Sequence, residues 1–522
     1  MAEAGGLSGP ELTAGVALLE IPDGGVLVGH VGDEAVLLYR EGESVSAVGG
    51  TCTHYSGPLG EGRVEGGVVH CPWHHACFSL RTGEALRAPA LNPVPRWGVV
   101  REGERVRVTE KQATKPYRTR EPAAAGGPGR IVVVGFGAAG ASAVEWLLRQ
   151  GWGGRIDVVD PDPAAPYDRP NLSKDYLAGT APEEWIPLRP AGWYEEHGVV
   201  VHRTAARALD AAGRTVALES GEALGYDALL LATGAAPIRL PLGPGDGRGA
   251  DAGPTVLYLR SLADSRAIVG AAEQSKRAVV IGASFIGLEV AASLRTRRLE
   301  VDVVAPEAVP FQRVLGPELG EAIQRLHEEH GVRFHLGRTA SRIDEATVVL
   351  DDGSALPADM VVVGVGVRPV LELAQAAGLA LDRGVVVDER LRTSAPGIWA
   401  AGDIARYPDA ETGERIRVEH WVVAERQGAA AAADMIGRGD AFRPIPFFWT
   451  QHYDVPVNYV GHAEAWDEAA VEGDPAARDC AVAYRKDGRT LAVATIYRDR
   501  ESLEAEAVLE ADVGRGESRV AS

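Results

Sequence analysis

The sequence predicts a multidomain protein with a small all-β domain, two α/β domains of the Rossmann type set one inside the other, and a small α+β domain at the C-terminus. Three observations carry this. Short alternating apolar runs broken by glycine fill residues 14–109. A strand, glycine turn, helix, strand pattern occurs twice further on. A new set of strand-like runs begins after Phe442.

The first segment contains GVLVGH, AVLLYR and GVVH, whose period of two and glycine punctuation read as antiparallel strands. Residues 110–128 lack an apolar period and are rich in Pro, Gly, Ala and charge, so they read as a linker. IVVVGFGAAG, ASAVEWLLRQ and RIDVVD then form a βαβ unit, and AVVIGASFIG, LEVAASLRTRR and EVDVVA repeat it. Gly135 and Gly282, the first glycines of the two turns, stand 147 positions apart. That is too far for a solenoid repeat and suits two nucleotide-binding folds, the second inserted into the first. The first fold takes residues 129–254 and 376–440, and the inserted one takes 255–375. Residues 241–254 read as a flexible surface loop. Residues 441–515 form the C-terminal domain, with PIPFFWTQHYDVPVNYVGHA, CAVAYR and LAVATIYR as strands and an acidic helical tail after Glu501.

Composition bounds the function. The 522 residues carry 46% hydrophobic and 24% charged side chains, the balance of a globular protein. A formal charge of −20 disfavours nucleic acid and anionic lipid as partners and suits a basic redox partner. No signal peptide and no membrane span is read, and four cysteines do not make a disulfide scaffold, so a cytoplasmic location is expected.

Cys52-Thr-His54 and Cys71-Pro-Trp-His74 are separated by sixteen residues. Two thiolates for one iron and two imidazoles for the other are the ligand set of a Rieske [2Fe–2S] centre. A zinc site with two Cys and two His competes, but zinc fingers place a Cys pair before a His pair, and here each half carries one of each. Cys77 and Cys480 fall out of ligand register and are expected in the core.

Gly135-Phe-Gly137-Ala-Ala139-Gly140 follows a strand and opens a helix, the arrangement that brings a dinucleotide pyrophosphate onto a helix N-terminus. Asp160 ends the next strand, placed for a ribose. In the second copy, Gly282-Ala-Ser284-Phe-Ile-Gly287, the strand ends in Ala305 with Glu307 two residues on, and Arg297 and Arg298 lie upstream. NADH is thereby favoured only modestly over NADPH.

IVVVGFGAAGASA, PYDRPNLSK, LLLATGAAP, YLRSL, VVIGASFIGLEVAASL, VGVGVRP, GIWAAGDIA, RVEHWVVAERQG and PFFWT follow one another along residues 130–500. This stretch resembles the ferredoxin-reductase branch of the FAD-dependent pyridine nucleotide oxidoreductases. The whole chain resembles apoptosis-inducing-factor-like proteins with an N-terminal Rieske domain. The resemblance implies FAD in the outer fold and NAD(P)H in the inner one. It implies that Gly402 and Asp403 hold the ribityl chain, that Thr233 and Gly234 pass close to FAD, and that the Ala206 backbone meets its adenine. Arg169 and Arg260 would neutralise pyrophosphate. Lys174, paired with Glu289, would sit at the flavin N5 edge, Glu289 would meet the nicotinamide carboxamide, and Gly366 would line that site. Trp421 and Trp449 would pack near the isoalloxazine.

High-potential Rieske proteins tie their two ligand loops with a disulfide where Gly57 and Trp73 stand here, and carry a serine where Ala76 stands. The resemblance therefore implies a potential toward the low end of roughly −150 to +300 mV. The expected function is electron transfer from NAD(P)H through FAD and the cluster to a ferredoxin, cytochrome P450, oxygenase or small oxidant. The alternative is a slow, NADH-responsive redox sensor.

Overall fold

The computed structural model describes residues 8–114, 117–124, 126–242 and 254–520, which divide into two compact units. The loop expected at 241–254 lies outside the described residues except for Pro241, Leu242 and Pro254. Among the described residues no helix is long and apolar enough to cross a membrane.

The first unit runs to residue 125 and takes in 142–153 and 498–522. Its main sheet has six antiparallel strands in the order Val16–Ala17, Arg105–Gln112, Arg96–Glu102, Ser44–Gly49, Glu34–Glu41 and Val26–Val31. A second, four-stranded antiparallel sheet runs Arg63–Glu65, Val68–His70, Cys77–Ser79 and Ala85–Arg87. Alternation in the strand Glu34–Glu41 explains the two cores of this unit. Leu37 and Tyr39 point into a cluster with Cys52, Cys71, Val69 and Phe78, while Val36 and Leu38 point the other way, toward Leu12, Trp97 and Val106. The strand Arg105–Gln112 continues past the expected linker start at residue 110, because a bulge between Val108 and Lys111 restores its pairing with Trp97 and Arg96.

The second unit holds two parallel five-stranded sheets. The outer one runs Val199–His202, Arg155–Val159, Arg130–Val134, Ala228–Leu231 and Ile398–Ala400. The inner one runs Thr255–Tyr258, Met360–Val363, Arg277–Ile281, Glu300–Ala305 and Val332–Leu336. The chain leaves the outer sheet after Ala228–Leu231 and returns to it only at Ile398–Ala400, so the inner fold is an insertion. Antiparallel pairing of Ala235–Pro237 with Val367–Pro369 joins the outgoing and returning segments. The duplication extends to buried charge. Asp157 accepts from Arg130, Arg155 and His202 in one sheet, and Asp302 accepts from Arg333 and His335 at the matching place in the other.

The segment expected as one C-terminal domain is shared between the units. Its antiparallel sheet, ordered Phe447–His452, Val455–Gly461, Arg489–Ile496, Asp479–Lys486 and Glu468–Asp474, belongs to the second. The helix Asp499–Val520 belongs to the first from Arg498 onward. Leu503, Leu509 and Val513 recur at helical spacing and are buried. The acidic composition of this segment hides that stripe.

Candidate functional site

The two Cys–His loops of the first unit, candidates for the metal ligands, have the same backbone hydrogen bonding. Cys52 N donates to Gly57 O (2.9 Å) and Ser56 N to Cys52 O (3.1 Å). Cys71 N donates to Ala76 O (2.8 Å) and His75 N to Cys71 O (3.1 Å). In each loop the fifth residue, Ser56 or His75, takes the left-handed conformation, with φ of 62° and 58°. This common frame brings the donors together. His54 Nδ1 and His74 Nδ1 lie 3.1 Å apart, and the two cysteine side chains hydrogen-bond one another. Both thiols are buried and none of the four cysteines is in a disulfide.

The electrostatics suit metal ligation. Burial lowers the His54 pKa to about 3, so its ring is neutral and has a lone pair to give. The Cys52 thiol donates to Cys71, and the amides of Trp73 and His74 point at the same sulfur, which holds Cys71 below the usual thiol range. Cys52 keeps the shared proton and is pushed up. Among the described residues no three His, Cys, Asp or Glu side chains close on one point, and a centre with two protein ligands per iron needs no such group. The donor set fits a [2Fe–2S] cluster. The two loops meet at Gly57, where a Cβ would stand 2.7 Å from Cys71 Sγ and 3.3 Å from the Trp73 ring. Tyr55, which no sequence pattern singled out, stacks on His54 at 4.0 Å. Cys77 and Cys480 are buried strand residues.

In the outer α/β fold, Gly135 has φ 100°, and a Cβ there would lie 2.2 Å from Ala232 O. Gly140 packs equally closely on Gly135 O. Gly137 faces the Arg169 guanidinium, whose buried Nε has no hydrogen-bond partner among the described residues. Burial and then the neighbouring Arg260 charge lower the Arg169 pKa, so this is a cation in need of an anion. A glycine cradle beside an unsatisfied arginine fits a dinucleotide pyrophosphate. Arg260 itself bonds Asp403 (2.6 Å) and lies beside Gly234. Thr233 Oγ1 donates to Val370 O. Asp160 receives the amides of Phe136 and Asp162, so its carboxylate is aimed back at the glycine turn. Ala206 starts the strand Ala206–Asp210, beyond the end of Val199–His202.

Two glycine contacts were not foreseen. Gly402 N donates to Gln427 Oε1 (2.8 Å), and Gly428 would place a Cβ 2.0 Å from Ala139 O. Both Gln427 and Gly428 lie on the helix Trp421–Met435. Its first residue, Trp421, is half-buried.

The inner fold repeats the cradle. Gly282 has φ 115° and abuts Gly364 O, Gly287 abuts Gly282 O, and Ser284 Oγ donates to Gly364 O (3.0 Å). Gly366, with φ 103°, follows the strand Met360–Val363. Arg297 and Arg298 lie just beyond the helix Phe285–Thr296.

Lys174 and Glu289 link the two folds. Lys174 Nζ is 2.9 Å from Glu289 Oε1 and 3.2 Å from Pro170 O. The hydroxyls of Ser173 and Thr450 also donate to Glu289, which is only 3% exposed. This is a buried, four-membered network rather than a solvated surface pair. Trp449 holds its ring 6.0 Å from Lys174 Nζ. Behind Thr450 the network continues to His452 (3.3 Å) and from there to His327 (3.2 Å).

Comparison with known proteins agrees with this geometry. Residues 129–428 match the family described as pyridine nucleotide-disulphide oxidoreductase, residues 16–98 the Rieske [2Fe-2S] domain, and residues 447–521 the reductase C-terminal domain. Apoptosis-inducing factor 3 of Homo sapiens is 32% identical over 482 residues, covering 89% of this chain and 78% of that protein. Putidaredoxin reductase CamA of Pseudomonas putida is 35% identical over 379 residues, covering 71% and 89%. The solved covalent putidaredoxin reductase–putidaredoxin complex superposes with a TM-score of 0.69 at 33% identity, covering 73% of this chain and 93% of that one.

Proposed function

The chain belongs to the pyridine nucleotide-disulphide oxidoreductase family, as an FAD-dependent NAD(P)H oxidoreductase of the ferredoxin-reductase type with a Rieske domain, and from that premise we propose that the cluster is its electron relay. The observation that carries the reading is the presence in one chain of a two-iron donor set and a buried Lys174–Glu289 pair linking two nucleotide folds. When bound, FAD accepts a hydride from NAD(P)H and releases electrons singly, and the cluster carries one electron at a time.

The residues divide that work. Gly135, Gly137, Gly140, Arg169 and Arg260 bind the FAD pyrophosphate, and Gly282, Ser284 and Gly287 receive that of NAD(P)H. Lys174 supplies positive charge at the flavin edge, held in place by Glu289. Glu289 in turn orients the nicotinamide amide, and Ser173 and Thr450 keep its carboxylate in register. Cys52 and Cys71 take one iron, His54 and His74 the other. The acceptor class is a redox protein such as a ferredoxin or an oxygenase component, by likeness to reductases that carry those names. Free thiols suit a reducing compartment such as the cytoplasm.

Anaerobic stopped-flow tests the relay. With NADH in excess, loss of flavin absorbance should be followed by the absorbance and electron paramagnetic resonance changes of a reduced cluster. A cluster that stays oxidised while the flavin is reduced would overturn it. The likeness to apoptosis-inducing factor 3 over 89% of the chain favours a second reading, a slow redox sensor. A change in oligomeric state with NADH, together with slow turnover on ferricyanide, would select it.

A further inference from the structure

The second ligand loop is held from outside the β domain. His75, next to His74, is fully buried, whereas Ser56 at the same place in the first loop is exposed. His75 adopts φ 58°, as Ser56 does in the first loop with φ 62°. Its ring is bound at both nitrogens by the C-terminal helix. Nδ1 lies 2.8 Å from Glu506 Oε2 and Nε2 lies 3.2 Å from Ser502 Oγ. An Nδ1–H tautomer satisfies both, donating to the carboxylate and accepting from the hydroxyl. Glu506 is itself 2% exposed and receives Arg87 at 3.0 Å through its other oxygen. Arg87 also reaches Glu510 at 2.7 Å.

This arrangement has the form of a support for a metal ligand: a loop residue beside the ligand, a carboxylate that orients it, and a cation that orients the carboxylate. We propose that the C-terminal helix Asp499–Val520 is a clasp on the cluster and that Glu506 is a positioning residue, setting the geometry of the Cys71–His74 loop through His75. The inference rests on the assignment of Cys52, His54, Cys71 and His74 as cluster ligands.

The physical reason is the burial of a polar ring in a tight loop. The loop reverses in five residues, and His75 N must reach back to Cys71 O to close it. Released from Glu506 and Ser502, the buried imidazole would lose its partners, and only the backbone hydrogen bonds of the turn would be left to hold the loop. Cys71 and His74 would then sample several positions, and a cluster reports that directly, because its potential and magnetic axes depend on ligand orientation and surrounding hydrogen bonds.

The test uses full-length holoprotein and the variants Glu506→Ala, Glu506→Gln and Ser502→Ala. Readouts are iron per chain, the electron paramagnetic resonance spectrum of the dithionite-reduced cluster, its midpoint potential, and far-UV circular dichroism. Glu506→Ala should broaden or shift the g-values and move the potential, with iron partly lost. Glu506→Gln, which keeps a hydrogen-bonding oxygen, should restore the line shape. Ser502→Ala should give a smaller shift of the same kind. A wild-type spectrum and potential in Glu506→Ala overturns the clasp. So does equal damage in Ala and Gln variants accompanied by loss of the circular dichroism signal, which marks a general structural role. A wild-type protein without iron would instead overturn the cluster assignment itself.

Discussion

At the scale of single residues the site depends on close approaches that leave no room for a methyl group. Gly57 is the sharpest case, since its Cβ would stand 2.7 Å from Cys71 Sγ. Gly57→Ala should add about 1–3 kcal/mol of local strain and yield protein with less iron per chain, read by metal analysis. Glu289 depends on charge instead. Its carboxylate receives Lys174, Ser173 and Thr450 out of water. A charged hydrogen bond is worth about 1.5–3 kcal/mol, so Glu289→Gln should slow flavin reduction by NADH about tenfold to a hundredfold. Anaerobic stopped-flow checks this, and an unchanged rate would remove the pair from the chemistry.

Elements are held together by two devices, one within the outer α/β fold and one repeated in both folds. One is the contact of the helix Trp421–Met435 with the first glycine turn through Gly428 and Ala139 O. Gly428→Ala should cost about 1–3 kcal/mol and lower the flavin-to-protein absorbance ratio and the melting temperature together. The other is the buried aspartate in each parallel sheet. Burial works against ionisation of Asp157, but hydrogen bonds from Arg155, Arg130 and His202 outweigh it and hold the carboxyl well below the ordinary value of 3.8. A depressed folded-state pKa contributes stability that is fully present above the unfolded value and fades as pH falls below it toward the folded value. Asp157→Asn should therefore lower the unfolding free energy at neutral pH, read from denaturant titrations, by about 1–3 kcal/mol, and the gap from wild type should narrow below about pH 4. A gap that stays constant through acid would show that the charge is not what stabilises the strand.

For the whole molecule the decisive quantity is the net charge of −20. Exposed charges are screened beyond about 10 Å at 0.1 M salt, so association with a cationic acceptor should slow steeply as salt rises, while reduction of anionic ferricyanide should speed up or stay level. Steady-state rates across a salt series with both acceptors check this. Parallel slopes for the two would exclude electrostatic steering.

Much of this protein is written in local sequence, because its chemistry uses short, contiguous motifs. A Cys and a His two or three residues apart can meet only on a tight loop, and a glycine turn between strand and helix carries its own backbone requirement. Those patterns sufficed to single out the two Cys–His loops that the fold brings together and the two glycine turns that it repeats. Periodicity likewise exposed the insertion of one α/β fold in the other. The sequence said less about contacts between distant segments. Ser173 and Thr450 around Glu289 lie up to 161 positions away, Gly428 needs Ala139 beside it to acquire meaning, and an acidic tail conceals a buried glutamate that reaches back 431 positions to His75. Such groups have no period and no spacing rule. Their roles exist only once folding has brought them out of water into contact, where an unpaired charge or a misplaced methyl group becomes costly.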